Sequence, residues 1–217
     1  MNEGIEGDQH NTIAAVPTAI DFWFEFGSNY SYLSVMRIEE AAAKSNIPVR
    51  WRPFLLGPIF RSFGWETSPF LLQKVKGEYV WKDMIRQCQK AGLPWTKPTL
   101  FPRTALLPMR VAIVAAEQDW MGAYCRRIMS LNFAEDRDID APEVVAEVLN
   151  QLGLPAQQIM DEARSDAIKL KLREQTAIAG AKGIFGAPMF FVGDEIFWGN
   201  DRLDDALALC LRERPLP

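Results

Sequence analysis

The amino-acid sequence predicts an α/β fold in which a large all-helical domain interrupts a small sheet domain. Three stretches carry that reading. Near the start, Ile20-Asp21-Phe22-Trp23-Phe24-Glu25-Phe26 is a short aromatic run, followed by a polar turn, a helix and a second strand-like run, a β-α-β opening. Near the end the chain reads as a helix stop at Gly183, a Gly186-Ala187-Pro188 turn, a buried strand, a second strand through Phe197-Trp198 and a capped helix after Gly199-Asn200-Asp201-Arg202-Leu203. Between them, from roughly Leu55 to Arg164, every patterned segment is helical.

The elements follow in order. Ile20–Phe26 is the first strand, and Gly27-Ser28-Asn29-Tyr30 has the residues of a turn. Ser31-Tyr32-Leu33-Ser34-Val35-Met36 opens a helix running to about Lys44, and Pro48–Pro53 is the next strand. Pro69–Ala91, Ala105–Glu117, Trp120–Phe133, Pro142–Leu152 and Ala156–Ala163 read as helices. Pro94, Pro98 and Pro102 mark a loop, and Gly153-Leu154-Pro155 another stop. Ser165-Asp166 then cap a helix that carries Ile168, Leu172, Thr176 and Ala179 on one face and ends at Gly183. Pro188 has no N–H for a ladder, so it belongs at a strand's edge or in a special turn, and Ala187–Pro188 is a candidate cis peptide. The expected organisation is a disordered tail at 1–17, the sheet domain at 18–54 and 165–217, and the helical insertion at 55–164.

Composition excludes several classes of function. The chain has 217 residues, 48% of them hydrophobic and 24% charged, which is ordinary globular material able to bury a core. A net charge of −4 leaves no electrostatic footprint for nucleic acid. No apolar run reaches the roughly 18 residues of a membrane span, and Met1–Pro17 lacks the basic and apolar regions of a signal peptide. Cys88, Cys125 and Cys210 are scattered and odd in number, which fits neither a disulfide framework nor a metal cluster and points to a reduced, cytoplasmic setting. Cys210 shares an apolar helical face with Leu203, Ala206, Leu207 and Leu211 and is expected in the core. The single histidine, His10, lies in the polar tail, so a Ser-His-Asp triad and a histidine-ligated zinc are excluded.

The two ends together resemble a thioredoxin-like domain, in which a cis-proline loop faces the N-terminus of the active-site helix. In redox members of that fold the turn after the first strand carries Cys-x-x-Cys; here the matching residues are Ser28-Asn29-Tyr30-Ser31, so the scaffold is kept without a redox pair. A helix N-terminus carries about half a positive charge and favours an anion. A serine there donates its O–H to a sulfur brought in by a ligand, and glutathione is the ligand suggested. From about Ala19 to Leu209 the chain resembles the family of 2-hydroxychromene-2-carboxylate isomerases and kappa-class glutathione transferases. The supporting stretches are Gly27–Leu33, Trp51–Gly57, Lys76-Gly77, Phe101-Pro102-Arg103, Gly186-Ala187-Pro188 and Gly199-Asn200-Asp201-Arg202, with two departures at Asn29 (commonly proline) and Thr104 (often asparagine).

The resemblance implies that Ser28 is catalytic and lowers the pKa of the glutathione thiol. It implies further that Lys76 holds the glycyl carboxylate, that the Ala187 backbone beside Pro188 pairs with the cysteinyl backbone, and that Asn200 and Asp201, next to Arg202, hold the γ-glutamyl end. A small aromatic substrate, a homodimer and the absence of a metal complete the expectation. Each residue also has a plain structural reading: Ser28 or Ser31 as a helix cap, Asn200 or Asp201 as the cap of the last helix, Lys76 as a solvated charge. Trp65, Trp81 and Trp198 either line an aromatic pocket or simply pack. A kappa-like transferase or peroxidase that consumes glutathione, and a non-catalytic glutathione-binding module, are the alternative functions; the missing cysteine pair disfavours a disulfide oxidoreductase.

Overall fold

The central strand, β1 (Ile20–Phe24), is buried at every position but Asp21 and is paired along both edges. In the computed structural model, which describes residues 19–212, it lies between a parallel partner, β2 (Val49–Pro53), and an antiparallel one, β3 (Met189–Val192). β4 (Glu195–Trp198) closes the edge as a hairpin with β3, giving the order β2-β1-β3-β4. Gly193, at φ +57°, makes the tight hairpin turn, a backbone region that costs glycine nothing. Register sets the aromatic packing: Phe22 lies opposite Trp51 and Phe190, and their ring centroids are 5.2 and 5.3 Å away. Trp23 points to the other face and meets Phe54 and Phe191 edge-on at 5.9 and 6.3 Å.

Helices cover both faces. On the Phe22 side lie α1 (Asn29–Val35), α2 (Ile38–Ala43) and the last helix of the chain, which supplies Leu203, Ala206 and Cys210 to the core. On the Trp23 side lies α3 (Leu56–Ser62), whose Ile59 and Phe60 pack with Ala179 and Ile184. The helical stretch continues with α4 (Pro69–Leu72), α5 (Lys74–Ala91), α6 (Leu106–Ala115), α7 (Met121–Phe133), α8 (Pro142–Gln151) and α9 (Ala156–Arg164). α10 (Asp166–Ala181) returns to the sheet, and α11 (Leu203–Arg212) follows a short 3₁₀ turn at Asn200–Arg202. Ser165 caps α10 by accepting the Ile168 N–H, and Ile168, Leu172, Thr176 and Ala179 are its buried face, as the sequence spacing predicts.

Phe26 meets Tyr124 of α7 at 6.0 Å and Tyr32 of α1 meets Phe133 at 5.7 Å, so the sheet and the helical stretch share one continuous core. We propose the division at residues 54/55 and 164/165 as a topological one, where the chain leaves the sheet and returns to it. The expected tail at 1–17, including His10, lies outside the described residues. Among the described residues no helix is long and apolar enough to cross a membrane.

Two expected helices are each divided. The helix read from Ser31 to about Lys44 breaks at Met36–Arg37, where the Arg37 side chain is drawn away to Asn200 and Asp204. The helix read from Pro69 to Ala91 breaks at Gln73 (φ −110°, ψ 85°), which turns α4 back against α5. Gly77 makes that contact possible: a Cβ there would sit 2.1 Å from the Phe70 carbonyl oxygen. By contrast, a Cβ at Gly57 in α3 would meet only the end of the Arg61 side chain, at 3.6 Å. Thermal unfolding should therefore separate the two sites. Gly77→Ala is expected to cost about 1–3 kcal/mol by forcing α4 from α5, whereas Gly57→Ala should be neutral or stabilise by about 0.5–1 kcal/mol. Equal melting of the two variants would show that α4 does not rest on Gly77.

Candidate functional site

The site begins where β1 stops. Gly27 follows the strand so closely under the Phe101–Arg103 loop that a Cβ would lie 3.2 Å from the Arg103 carbonyl oxygen. The chain then turns, with the Ser28 N–H donating to the Glu25 carbonyl at 3.1 Å and the Ser28 carbonyl accepting the Tyr32 N–H at 3.3 Å. The Ser28 Oγ caps α1 by accepting the Ser31 N–H at 3.2 Å and donates its own proton to the Ala187 carbonyl at 2.9 Å. The side chain is thus the helix cap that the plain structural reading expects, and it also faces the proline loop. The Ala187–Pro188 peptide is cis, as the sequence predicts, and Pro188 is buried. Its carbonyl accepts the Gly199 N–H at 3.0 Å, which ties the loop to the Asn200–Arg202 turn.

A second network holds this turn from behind. Asn132 on α7 donates to the Phe26 carbonyl at 2.9 Å and accepts from Arg103 at 3.1 Å. Arg103, only 7% exposed, also reaches the Arg137 carbonyl at 2.7 Å and Asp136 at 2.6 Å. The Thr99 N–H, then Arg103, holds the Asp136 carboxyl below its usual range. Sequence reasoning assigned no role to Asn132. The signal available was an asparagine between Leu131 and Phe133 in an otherwise apolar stretch of helix. Asn29, the departure from the family proline, is 1% exposed, and its Nδ2 has no partner among the described residues.

Of the residues expected to hold the ends of a ligand, Asn200 contacts α1 through Ser34, and Lys76 is linked to Tyr30 of α1 only by way of Phe70. The Tyr30 ring lies 6.3 Å from Phe70, and the Lys76 Nζ, on an exposed residue, stands 5.9 Å from the same ring. Tyr30 donates to Asp83 at 2.8 Å. Burial, then Asp83, pushes its hydroxyl pKa upward, with smaller contributions from Tyr79 and Asp201, which puts Asp201 within electrostatic reach of it. Asp201 is exposed and 3.4 Å from Arg202, which itself pairs with Asp205 at 3.0 Å. Asn200 is more committed: its side-chain oxygen accepts from Ser34 at 3.1 Å and from Arg37 at 3.2 Å, leaving its amide N–H groups for a ligand.

The three tryptophans separate. Trp81 is enclosed by Trp95 and Phe101 with Lys97 above it, and Trp65 leans on Phe60 and Phe63. Trp198, 51% exposed, lies beside Phe185 at 5.0 Å, its indole nitrogen 2.8 Å from where a Gly186 Cβ would be. Of the three, it is the one on the Ala187 loop.

A β-α-β unit, a long helical stretch and a cis-proline loop facing a capped turn are now in place, and the model of the DSBA-like thioredoxin domain matches residues 19–209. The chain belongs to that family. Within the DSBA-like family it is 32% identical to a 2-hydroxychromene-2-carboxylate isomerase of Sphingobium xenophagum, over 85% of this chain and 94% of the relative. It is 25% identical to a kappa 2 glutathione S-transferase of Caenorhabditis elegans, over 85% and 88%. The solved structure of a 2-hydroxychromene-2-carboxylate isomerase superposes with a TM-score of 0.81 at 26% identity, covering 89% of this chain and 95% of that one. The Ser28-Asn29-Tyr30-Ser31 turn of this chain contains no cysteine. The Cys88 and Cys125 thiols are buried elsewhere, and burial pushes that of Cys88 up to about 11.

Glu25, three residues before Ser28, is half-buried. Burial raises its carboxyl pKa from 4.5 to about 7, partly opposed by a hydrogen bond from the Leu56 N–H. Between those values the folded chain holds a proton that the unfolded chain releases. Its contribution to stability is therefore complete below 4.5 and lost as pH rises through 7. Glu25→Gln, which keeps the shape without the charge, should melt above the parent at pH 8 by up to about 3 kcal/mol, the difference closing toward pH 5. A difference that does not change with pH would mean that Glu25 is not desolvated.

Proposed function

We propose that the protein is a glutathione-dependent isomerase of an unsaturated aromatic acid of the 2-hydroxychromene-2-carboxylate type. The observation that carries this reading is the Ser28 hydroxyl facing the Ala187 carbonyl at the cis-proline loop, where redox relatives of the fold carry a cysteine. Support also comes from the relatives named as isomerases of that compound. The residues present fit a γ-glutamyl tripeptide. Ala187 offers a backbone N–H that has no intramolecular acceptor among the described residues, Asp201 an exposed carboxylate for the ammonium group, and Lys76 an exposed ammonium for the glycyl carboxylate. Bound glutathione would supply a thiolate able to add reversibly to a conjugated aromatic substrate and so permit bond rotation.

The work of the chain's own residues follows from hydrogen-bond counting. Ser28 has one proton, now given to the Ala187 carbonyl; directed to a sulfur, it favours the ionised thiol and lowers its pKa. The Ala187 carbonyl is then released to accept a peptide N–H, and with its own N–H gives a strand-like contact. Trp198 and Phe185 offer exposed aromatic faces beside that loop. A homodimer in the cytoplasm belongs to the same proposal. A kappa-like transferase is the second reading, favoured by the kinship to kappa enzymes, and would use the same residues.

The fate of glutathione decides between them. An isomerase returns it unchanged after many turnovers, whereas a transferase consumes one equivalent per product. If no substrate of this type turns over and the protein is not retained on immobilised glutathione, the proposal fails. Ser28→Ala should leave glutathione affinity nearly intact but raise the bound thiol's pKa by about one unit, or about 1.4 kcal/mol, read as thiolate absorbance against pH. Asp201→Ala and Lys76→Ala should each weaken binding by roughly 1–3 kcal/mol, and the Lys76 contact should fade with salt. Unchanged calorimetric affinity in both would remove these two residues from the site.

A further inference from the structure

A cavity of about 280 Å³ lies where the N-cap of α3, the start of α6 and the middle of α10 meet. Its lining divides by chemistry into three leucines, Leu55, Leu106 and Leu172, and three cations, Arg110, Lys169 and Arg173. None of these six is a residue of the Ser28 site. In a chain of net charge −4, three cations around one apolar hollow are a local reversal of sign.

The three cations differ in what they already hold. The Lys169 Nζ pairs with Asp166 at 2.9 Å, and the Lys169 backbone carbonyl accepts from the Arg173 Nε at 3.3 Å. Lys169, ahead of Arg173, depresses the carboxyl of Asp166, which is also on α10. Arg110 has no such arrangement. It is half-buried, no ion pair reaches it among the described residues, and its Nε is buried with no acceptor. Buried N–H groups in native folds have partners, and one that lacks any marks a place where an acceptor belongs. The guanidinium fork matches a carboxylate in two parallel hydrogen bonds.

The other half of the lining limits what that carboxylate is attached to. Leucine walls offer no hydrogen bonds to a sugar or a second phosphate, and the volume is too small for a nucleotide. They do take a hydrocarbon body. We infer that this cavity binds a small apolar monocarboxylate, its carboxylate on Arg110 with Lys169 and Arg173 at the rim, and its ring or chain against Leu55, Leu106 and Leu172. The inference stands independently of the glutathione reading.

Calorimetric titration of the whole protein with benzoate, hexanoate and the neutral benzyl alcohol tests it. Binding of either acid, with no detectable heat from the alcohol, is expected, and the two acids distinguish an aromatic from an aliphatic occupant. Arg110→Met keeps the apolar stem and removes the unpartnered N–H, so it should fold; it should weaken acid binding about tenfold or more. Leu106→Trp fills the cavity from Leu106, 37% exposed, while leaving Arg110 in place, and should weaken binding similarly. It decides the matter if the Arg110 variant does not fold. Failure of both acids to bind the parent, equal binding of the alcohol, or binding that persists in either folded variant would overturn the inference.

Discussion

β1 is hydrogen-bonded along both edges and covered by helices on both faces, so the point at which it ends is held from several sides. The rest of the molecule is arranged around that end. Parallel β2 requires a crossover, which places α1 directly after the strand. Antiparallel β3 brings the Ala187–Pro188 loop back beside the start of α1. The Asn132–Phe26 and Arg103–Asn132 bonds then secure the turn from the helical side, so residues distant in sequence converge on one serine.

Replacing a cysteine by serine at this position changes what kind of chemistry the scaffold supports. A cysteine brings its own nucleophile and stores oxidising equivalents with its partner. Ser28 does neither. Its single proton is engaged with a backbone carbonyl, and its oxygen accepts from the helix it caps. Under the proposed function such a group assists a sulfur supplied from outside, with the Asp201 carboxylate and the Lys76 ammonium holding the ends of a zwitterionic peptide.

Much of this was legible in the sequence because local rules and tertiary demands agree. The aromatic strand, the Ser165 cap and the Gly-Ala-Pro turn each read the same way at both levels. The two helix breaks were not legible, since Ser31–Lys44 and Pro69–Ala91 keep helical composition throughout. They are imposed from outside, by Arg37 reaching Asn200 and by α4 folding onto Gly77. The Asn200 side-chain oxygen serves Ser34 and Arg37, partners more than 160 residues away that no local pattern reveals. The Arg103–Asn132 network and the desolvation of Glu25 likewise depend on what lies across the fold.

The α4–α5 corner has a consequence of its own. Lys76 precedes the glycine whose bare α-carbon rests on the Phe70 carbonyl, so its position is set by main chain against main chain. That makes the corner a ruler. The stretch ahead of it ends at Ser68, whose hydroxyl caps α4 by accepting the Phe70 N–H, so the corner is held at the cap as well as at the glycine. Under the proposed function, the distance at which Lys76 meets a ligand's carboxylate is then a property of backbone packing rather than of side-chain choice.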